Sequence, residues 1–168
     1  MPIQRLNHAV LYVRDVARSV AFYTEALGFR VVMEMPGQAA FLQAAGSTND
    51  HDLGLFAIGE RAGASTAGRS TVGLYHLAWE VDTLAELQRI SGVLTERGAL
   101  VGASDHGSTK ALYAQDPDGI EFEVSWLVPA ALLDPEQTIS TRPLHLEREI
   151  ERYGADTRGG VGVSVPTA

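Results

Sequence analysis

Asp116-Pro117-Asp118-Gly119-Ile120-Glu121-Phe122-Glu123-Val124-Ser125-Trp126 sets a tight turn directly against a strand. Proline presets φ for the turn and glycine accepts φ > 0. From Ile120 the period is two, with Ile120, Phe122, Val124 and Trp126 on one face and Glu121, Glu123 and Ser125 on the other. The first face is core. The second must meet either solvent or a site, and for this segment taken alone a solvated face is the plainer reading.

Two further strand-like runs tilt that balance, because each places a histidine in the same role. In His8-Ala-Val-Leu-Tyr-Val13, the residues Ala9, Leu11 and Val13 share a face and leave His8, Val10 and Tyr12 opposite. In His76-Leu-Ala-Trp-Glu-Val81, Leu77, Trp79 and Val81 share a face and leave His76, Ala78 and Glu80 opposite. A lone strand-end histidine is more often a hydrogen-bonded structural residue than a ligand. Two at equivalent places of a repeat reverse that preference. Two imidazoles and a carboxylate meeting from three strands form a face of metal ligands with open positions for water, substrate or oxygen.

The chain reads as one module written twice. After a strand over residues 6–14, Asp15 sits at an N-cap, Val16, Val20, Tyr23 and Leu27 follow at helical spacing, and Gly28 ends the pattern. Strands follow at 29–35 and 39–43, joined by Pro36-Gly37, and at 51–58 after the turn 46–50. A Gly/Ala/Ser/Thr-rich connector over 59–73 separates the halves. The order then recurs: strand 76–81, a helix capped by Asp82 with Leu84, Leu87, Ile90 and Leu94 inward, Gly98, and strands at 99–103, 110–115 and 119–126. Such a half-module covers one sheet face with its own helix and needs the other half to close its concave face. The expected fold is α+β: two βαβββ modules, 5–58 and 74–127, in a single domain 1–128, forming a cupped, barrel-like mixed sheet with the helices outside. Residues 129–168 read as an extension: a turn-rich strap from Ala130, a short charged helix over 144–153, and a small, polar end from Gly159 that frays.

Composition bounds the function. The 168 residues carry 13 basic and 21 acidic side chains for a net charge of −8, which opposes nucleic-acid binding. No apolar run approaches the about 18 residues of a membrane span, and the N-terminal residues lack a secretory pattern, so a cytoplasmic protein is expected. With no cysteine, any metal must be held by nitrogen and oxygen.

Asn7-His-Ala-Val-Leu-Tyr-Val-Arg-Asp15 with Ser19-Val-Ala-Phe-Tyr-Thr-Glu-Ala-Leu-Gly-Phe29, His76-Leu-Ala-Trp-Glu-Val81 and Asp116-Pro-Asp-Gly119 before Glu123 resemble the vicinal oxygen chelate superfamily. That group includes glyoxalase I, bleomycin-resistance binders, methylmalonyl-CoA epimerase and extradiol ring-cleaving dioxygenases, and the resemblance covers roughly residues 5–127. It implies paired βαβββ modules and a metal held by His8, His76 and Glu123. Glu121 shares the parity of Glu123 and is its rival, but the family's carboxylate lies four residues after the turn glycine. Glyoxalase I takes a further carboxylate from the last strand of the first module. Here that strand, Asp50-His-Asp-Leu-Gly-Leu-Phe56, has no glutamate in its middle, which favours a three-ligand site. The segment Asp105-His-Gly-Ser-Thr-Lys-Ala-Leu-Tyr113 is similar to the one preceding the metal carboxylate in catechol-type ring-cleaving dioxygenases.

The resemblance therefore implies a dioxygenase using Fe(II), with Mn(II) or another divalent ion as alternatives, a small catechol-like aromatic and dioxygen as substrates, and a homodimer. His106 and then Tyr113 are the candidates for acid/base work, against a surface-loop reading of the histidine and a core reading of the tyrosine. His51 and Tyr12 are candidates for substrate contact, against a solvated turn residue and a packing residue. The rival functions are a glyoxalase-type lyase or isomerase and a non-catalytic binder of an antibiotic or other aromatic ligand. Whether the modules close within one chain or across a dimer stays open.

Overall fold

The computed structural model describes residues 2–3, 5–67, 70–134 and 140–164. It is a mixed α+β structure whose strands form two separate sheets, neither closed into a barrel. The chain divides into two compact units, Met1–Thr66 with Asp116–Gly119, and Ala67–Gln115 with Ile120–Ala168.

The first unit contains β1 (Ala9–Val13), α1 (Val16–Leu27), β2 (Arg30–Met35), β3 (Ala39–Gln43) and β4 (Leu53–Ala57), with sheet order β1-β4-β3-β2. β1 and β4 are parallel, from Ala9 opposite Leu53 to Val13 opposite Ala57, and the other pairs are antiparallel. The Asp15 carboxylate caps α1 by accepting from the Arg18 backbone N–H at 2.9 Å, and Gly28, at φ +72°, closes it in the left-handed region. The buried stripe is Val16, Ser19, Phe22, Tyr23 and Ala26, not the expected Val16, Val20, Tyr23 and Leu27. Both sets have helical spacing; the large Phe22 ring takes the inner position and turns Val20 and Leu27 towards the margin. The Asp116–Gly119 turn belongs to this unit. Asp118 accepts from the Arg14 backbone N–H (3.1 Å) and from the Arg14 and Arg18 guanidiniums (2.7 and 2.9 Å), and Asp116 accepts from the Tyr23 hydroxyl at 3.2 Å. Burial, reinforced by the Asp116 charge, holds the Tyr23 phenol well above its ordinary pKa.

The second unit contains β5 (Leu77–Val81), α2 (Leu84–Glu96), β6 (Leu100–Asp105), β7 (Thr109–Gln115), β8 (Glu121–Leu127), β9 (Arg142–Pro143) and α3 (Leu146–Tyr153). Its sheet order, β5-β8-β7-β6-β9, repeats that of the first unit and adds β9, and β5 and β8 are again parallel. Leu84, Leu87, Ile90 and Leu94 are the buried stripe of α2, each at most 2% exposed. Full burial of such a side chain contributes about 1.5–3 kcal/mol. The cap is Thr83, one residue later than expected: its hydroxyl accepts from the Glu86 backbone N–H at 3.2 Å, the Thr-x-x-Glu pattern of a capping box. Asp82 is engaged elsewhere, its carboxylate 3.3 Å from Arg158 and its carbonyl accepting from the Gly159 N–H at 2.8 Å.

The C-terminal extension is tied down rather than frayed as far as residue 164; residues 165–168 lie outside the described residues. Ala85 N–H donates to the Ala155 carbonyl, Ala130 N–H to the Val163 carbonyl, and the Ser164 hydroxyl to the Leu127 carbonyl. Gly159 passes so close to β8 that a Cβ there would collide with the Leu127 carbonyl oxygen, and one on Gly160 would strike the Glu80 carboxylate. The sequence has a single lysine, Lys110, and its side chain is fully buried. Its ammonium lies 2.5 Å from Asp105 and 2.9 Å from Glu149 of α3. Two carboxylates are what make a buried ammonium tolerable.

Gly159→Ala should lift the tail from β8, read as faster amide exchange at Ala85 and Ala130 while the α2 amides keep their protection. Burial alone would raise the Asp105 pKa, but hydrogen bonds from Lys110 and the Gly107 N–H, with the charges of Lys110 and Arg142, hold it below its ordinary value. The stability that this lowered pKa contributes is whole above the unfolded carboxylate value of about 3.9 and is lost as pH falls through the lower folded value. Asp105→Asn should therefore be less stable than the parent in urea at neutral pH, and the difference should shrink in acid.

Candidate functional site

In the second unit the antiparallel register of β7 and β8 sets Tyr113 directly opposite Glu123, and the parallel register of β5 and β8 sets Ala78 on the other side of the same glutamate. Directly opposed residues share a sheet face. Phe122, Val124 and Trp126, at most 2% exposed, point the other way into the core, so the alternation that buries them delivers Glu123 to the Tyr113 face. His76, one residue before β5, brings its Nε2 to 3.3 Å from Glu123 Oε2, while Glu121 stands opposite Gln115. Two donor atoms each about 2.1 Å from one ion and at a right angle are about 3 Å apart, so His76 and Glu123 have the spacing of two neighbouring ligands. His76 Nδ1 is buried with no hydrogen-bond partner among the described residues, and no bond fixes its tautomer.

Tyr113 continues the array. Its hydroxyl is hydrogen-bonded to Glu123 and lies 2.9 Å from His106 Nε2. Burial first, then the Glu123 charge, raises the phenol pKa above its ordinary value, so it keeps its proton at neutral pH. His106 begins the β6–β7 turn, where its backbone N–H donates to the Thr109 carbonyl at 2.9 Å and Gly107 takes φ +85°. Its Nδ1 faces the Ser140 carbonyl and the Thr141 hydroxyl, each at 3.3 Å. His76, Glu123, Tyr113 and His106 thus form one continuous line of polar groups.

The first unit holds the remaining candidates. His8, just before β1, accepts or donates at Nδ1 with the Asn7 side chain at 2.7 Å, and its ring lies 4.4 Å from that of His51. His51 also packs edge-on against Phe41, ring centroids 5.1 Å apart, and pairs with Asp50 at 3.2 Å. It is therefore both beside His8 and tied to its turn, where the alternation of its own strand left the choice open. Beneath it Asp52 accepts from the Ala44 N–H, the Ser47 hydroxyl and the Asn49 amide at 2.7–2.8 Å, fixing the start of β4. Tyr12 is exposed on the His8 face of β1. Within neither unit do three described His, Asp or Glu side chains gather closely enough to hold an ion.

Sequence reasoning missed Ser140, Thr141 and Tyr75. Tyr75 stacks at a tilt on His76, centroids 4.6 Å apart; its place next to a candidate ligand was the available signal. Nothing in the sequence announces that residues 140–143 return to β6.

Comparison with known proteins gives the same family from several directions. The chain is 33% identical over 120 residues to a catechol-2,3-dioxygenase of Bacillus subtilis, covering 71% of this chain but 40% of that protein. It is 33% identical over 160 residues to biphenyl-2,3-diol 1,2-dioxygenase 3 of Rhodococcus globerulus, covering 92% of this chain and 75% of that protein. It is 30% identical over 127 residues to a lactoylglutathione lyase of Salmonella typhimurium, covering 71% and 90%. A profile of the glyoxalase/bleomycin resistance protein/dioxygenase superfamily matches residues 5–124, a span that takes in both repeats, and the chain belongs to that superfamily.

Proposed function

We propose that this chain is a metal-dependent extradiol ring-cleaving dioxygenase acting on a small catechol-like aromatic with dioxygen. The observation that carries the reading is the line His76–Glu123–Tyr113–His106, which joins a two-ligand edge to an acid/base pair on one face of one sheet. The 33% identity to two ring-cleaving dioxygenases supports it. His8, His76 and Glu123 would hold the ion, Fe(II) with Mn(II) or another divalent metal as alternatives. Two imidazoles and one carboxylate on a divalent ion leave open positions for a chelating substrate. When bound, the ion would acidify a catechol hydroxyl and bring substrate and oxygen together.

The chain's own side chains supply the rest. Tyr113 keeps its proton at neutral pH and can donate to a developing oxygen anion or to His106. His106, 2.9 Å from that hydroxyl, can take up the proton and return it. His51 and Tyr12 would meet the substrate from the first unit, with the Phe41 contact limiting how far the His51 ring can turn. A cytoplasmic homodimer is part of this reading, and the net charge of −8 argues against a nucleic-acid partner. A glyoxalase-type lyase is the second reading, favoured by the 30% identity to a lactoylglutathione lyase. Against it, β4 (Leu-Gly-Leu-Phe-Ala) offers no carboxylate for a fourth ligand.

Untagged protein loaded anaerobically with iron should consume oxygen with a catechol and release a yellow ring-fission product. A colourless outcome across a catechol panel at full iron occupancy overturns the reading; turnover of a thiol adduct with Ni, Co or Zn and no oxygen uptake establishes the lyase. Ligand affinity unchanged by alanine at positions 8, 76 and 123 establishes a metal-free binder. Glu123→Ala should abolish stoichiometric metal in elemental analysis. His106→Ala should retain metal and lower kcat about 100-fold or more, the scale of a lost general acid/base.

A further inference from the structure

The C-terminal extension reaches His106, and it does so with two chemically different oxygens. β9 pairs with β6, Ser104 opposite Pro143 and Asp105 opposite Arg142, which carries residues 140 and 141 past the His106 ring. Nδ1 then faces the Ser140 carbonyl and the Thr141 hydroxyl at the same 3.3 Å. A carbonyl can only accept; a hydroxyl can also donate. On the other side Nε2 faces the Tyr113 hydroxyl, whose one proton has two claimants, His106 and Glu123.

The neutral ring has two self-consistent hydrogen-bond arrangements. In one, Tyr113 donates to Glu123, His106 Nε2–H donates to the Tyr113 oxygen, and the bare Nδ1 accepts from Thr141. In the other, Nδ1–H donates to the Ser140 carbonyl and the bare Nε2 accepts from Tyr113, so Glu123 loses its donor. With Glu123 ionised and carrying no metal, the first is preferred, because a hydrogen bond to a carboxylate is about twice as strong as a neutral one. It is available only if something donates to Nδ1. Thr141 is the group placed to do so.

We infer that Thr141 is a positioning residue that sets which nitrogen of His106 carries the proton, making the extension part of the polar line that ends at Glu123. The inference rests on the proposed function only for its effect on turnover. The test is imidazole nitrogen NMR of the metal-free, full-length protein, recorded well above the ordinary histidine value of about 6.5. His106→Gln identifies which of the five histidine signals belongs to this ring. The parent and Thr141→Ser should carry the proton on Nε2, and Thr141→Val should move it to Nδ1, where only the carbonyl remains. The same protonation pattern in the parent and Thr141→Val overturns the inference. In the iron-loaded enzyme Thr141→Val should lower kcat several-fold with KM unchanged, and serine should restore it. A proton that moves in the valine variant while the parent turns over no catechol upholds the role of Thr141 and counts against the dioxygenase reading alone.

Discussion

The site depends on one register: Tyr113 of β7 stands opposite Glu123 of β8. Slipping that pair by one residue would send Phe122, Val124 and Trp126 to the outer face and the glutamate into the core, so the hydrophobic burial of three large side chains enforces the polar alignment. The chemistry inherits its precision from the core. The same register sets Lys110 opposite Trp126 on the inner side, where the ammonium meets Asp105 and Glu149. One hairpin thus organises both the polar line on its outer face and the anchoring of α3 behind it.

The two units repeat a strand order and differ in what they expose. The first gathers His8 and His51 at the neighbouring starts of β1 and β4, over a turn fixed by Asp52. The second gathers His76, Glu123, Tyr113 and His106 across β5, β8 and β7. Parallel pairing of the first and last strand in each repeat is what brings residues distant in sequence side by side.

Much of the fold was legible because period two and period 3.6 leave unmistakable traces: the faces of β1, β5 and β8 and the α2 stripe follow alternation and spacing alone. The α1 stripe was misread by one position because two sets of residues satisfy the same spacing, and only packing decides between Phe22 and Val20. The α2 cap moved from Asp82 to Thr83 because the docked tail engages Asp82, a tertiary contact that no local signal carries. In the site, strand parity marked His8, His76 and Glu123, and nearness on a hairpin made His106 and Tyr113 natural partners. Ser140 and Thr141 were illegible, since their contact depends on a two-residue strand pairing across more than thirty positions.

Enclosing Lys110 has a consequence for the molecule's surface. Every exposed side-chain cation is an arginine guanidinium or an imidazole, and neither forms the stable amides that a lysine does. Acetyl transfer, isopeptide tagging and active-ester cross-linking therefore find no side-chain amine on the folded protein. Acylation at position 110 becomes a gauge of how often α3 swings clear of the sheet.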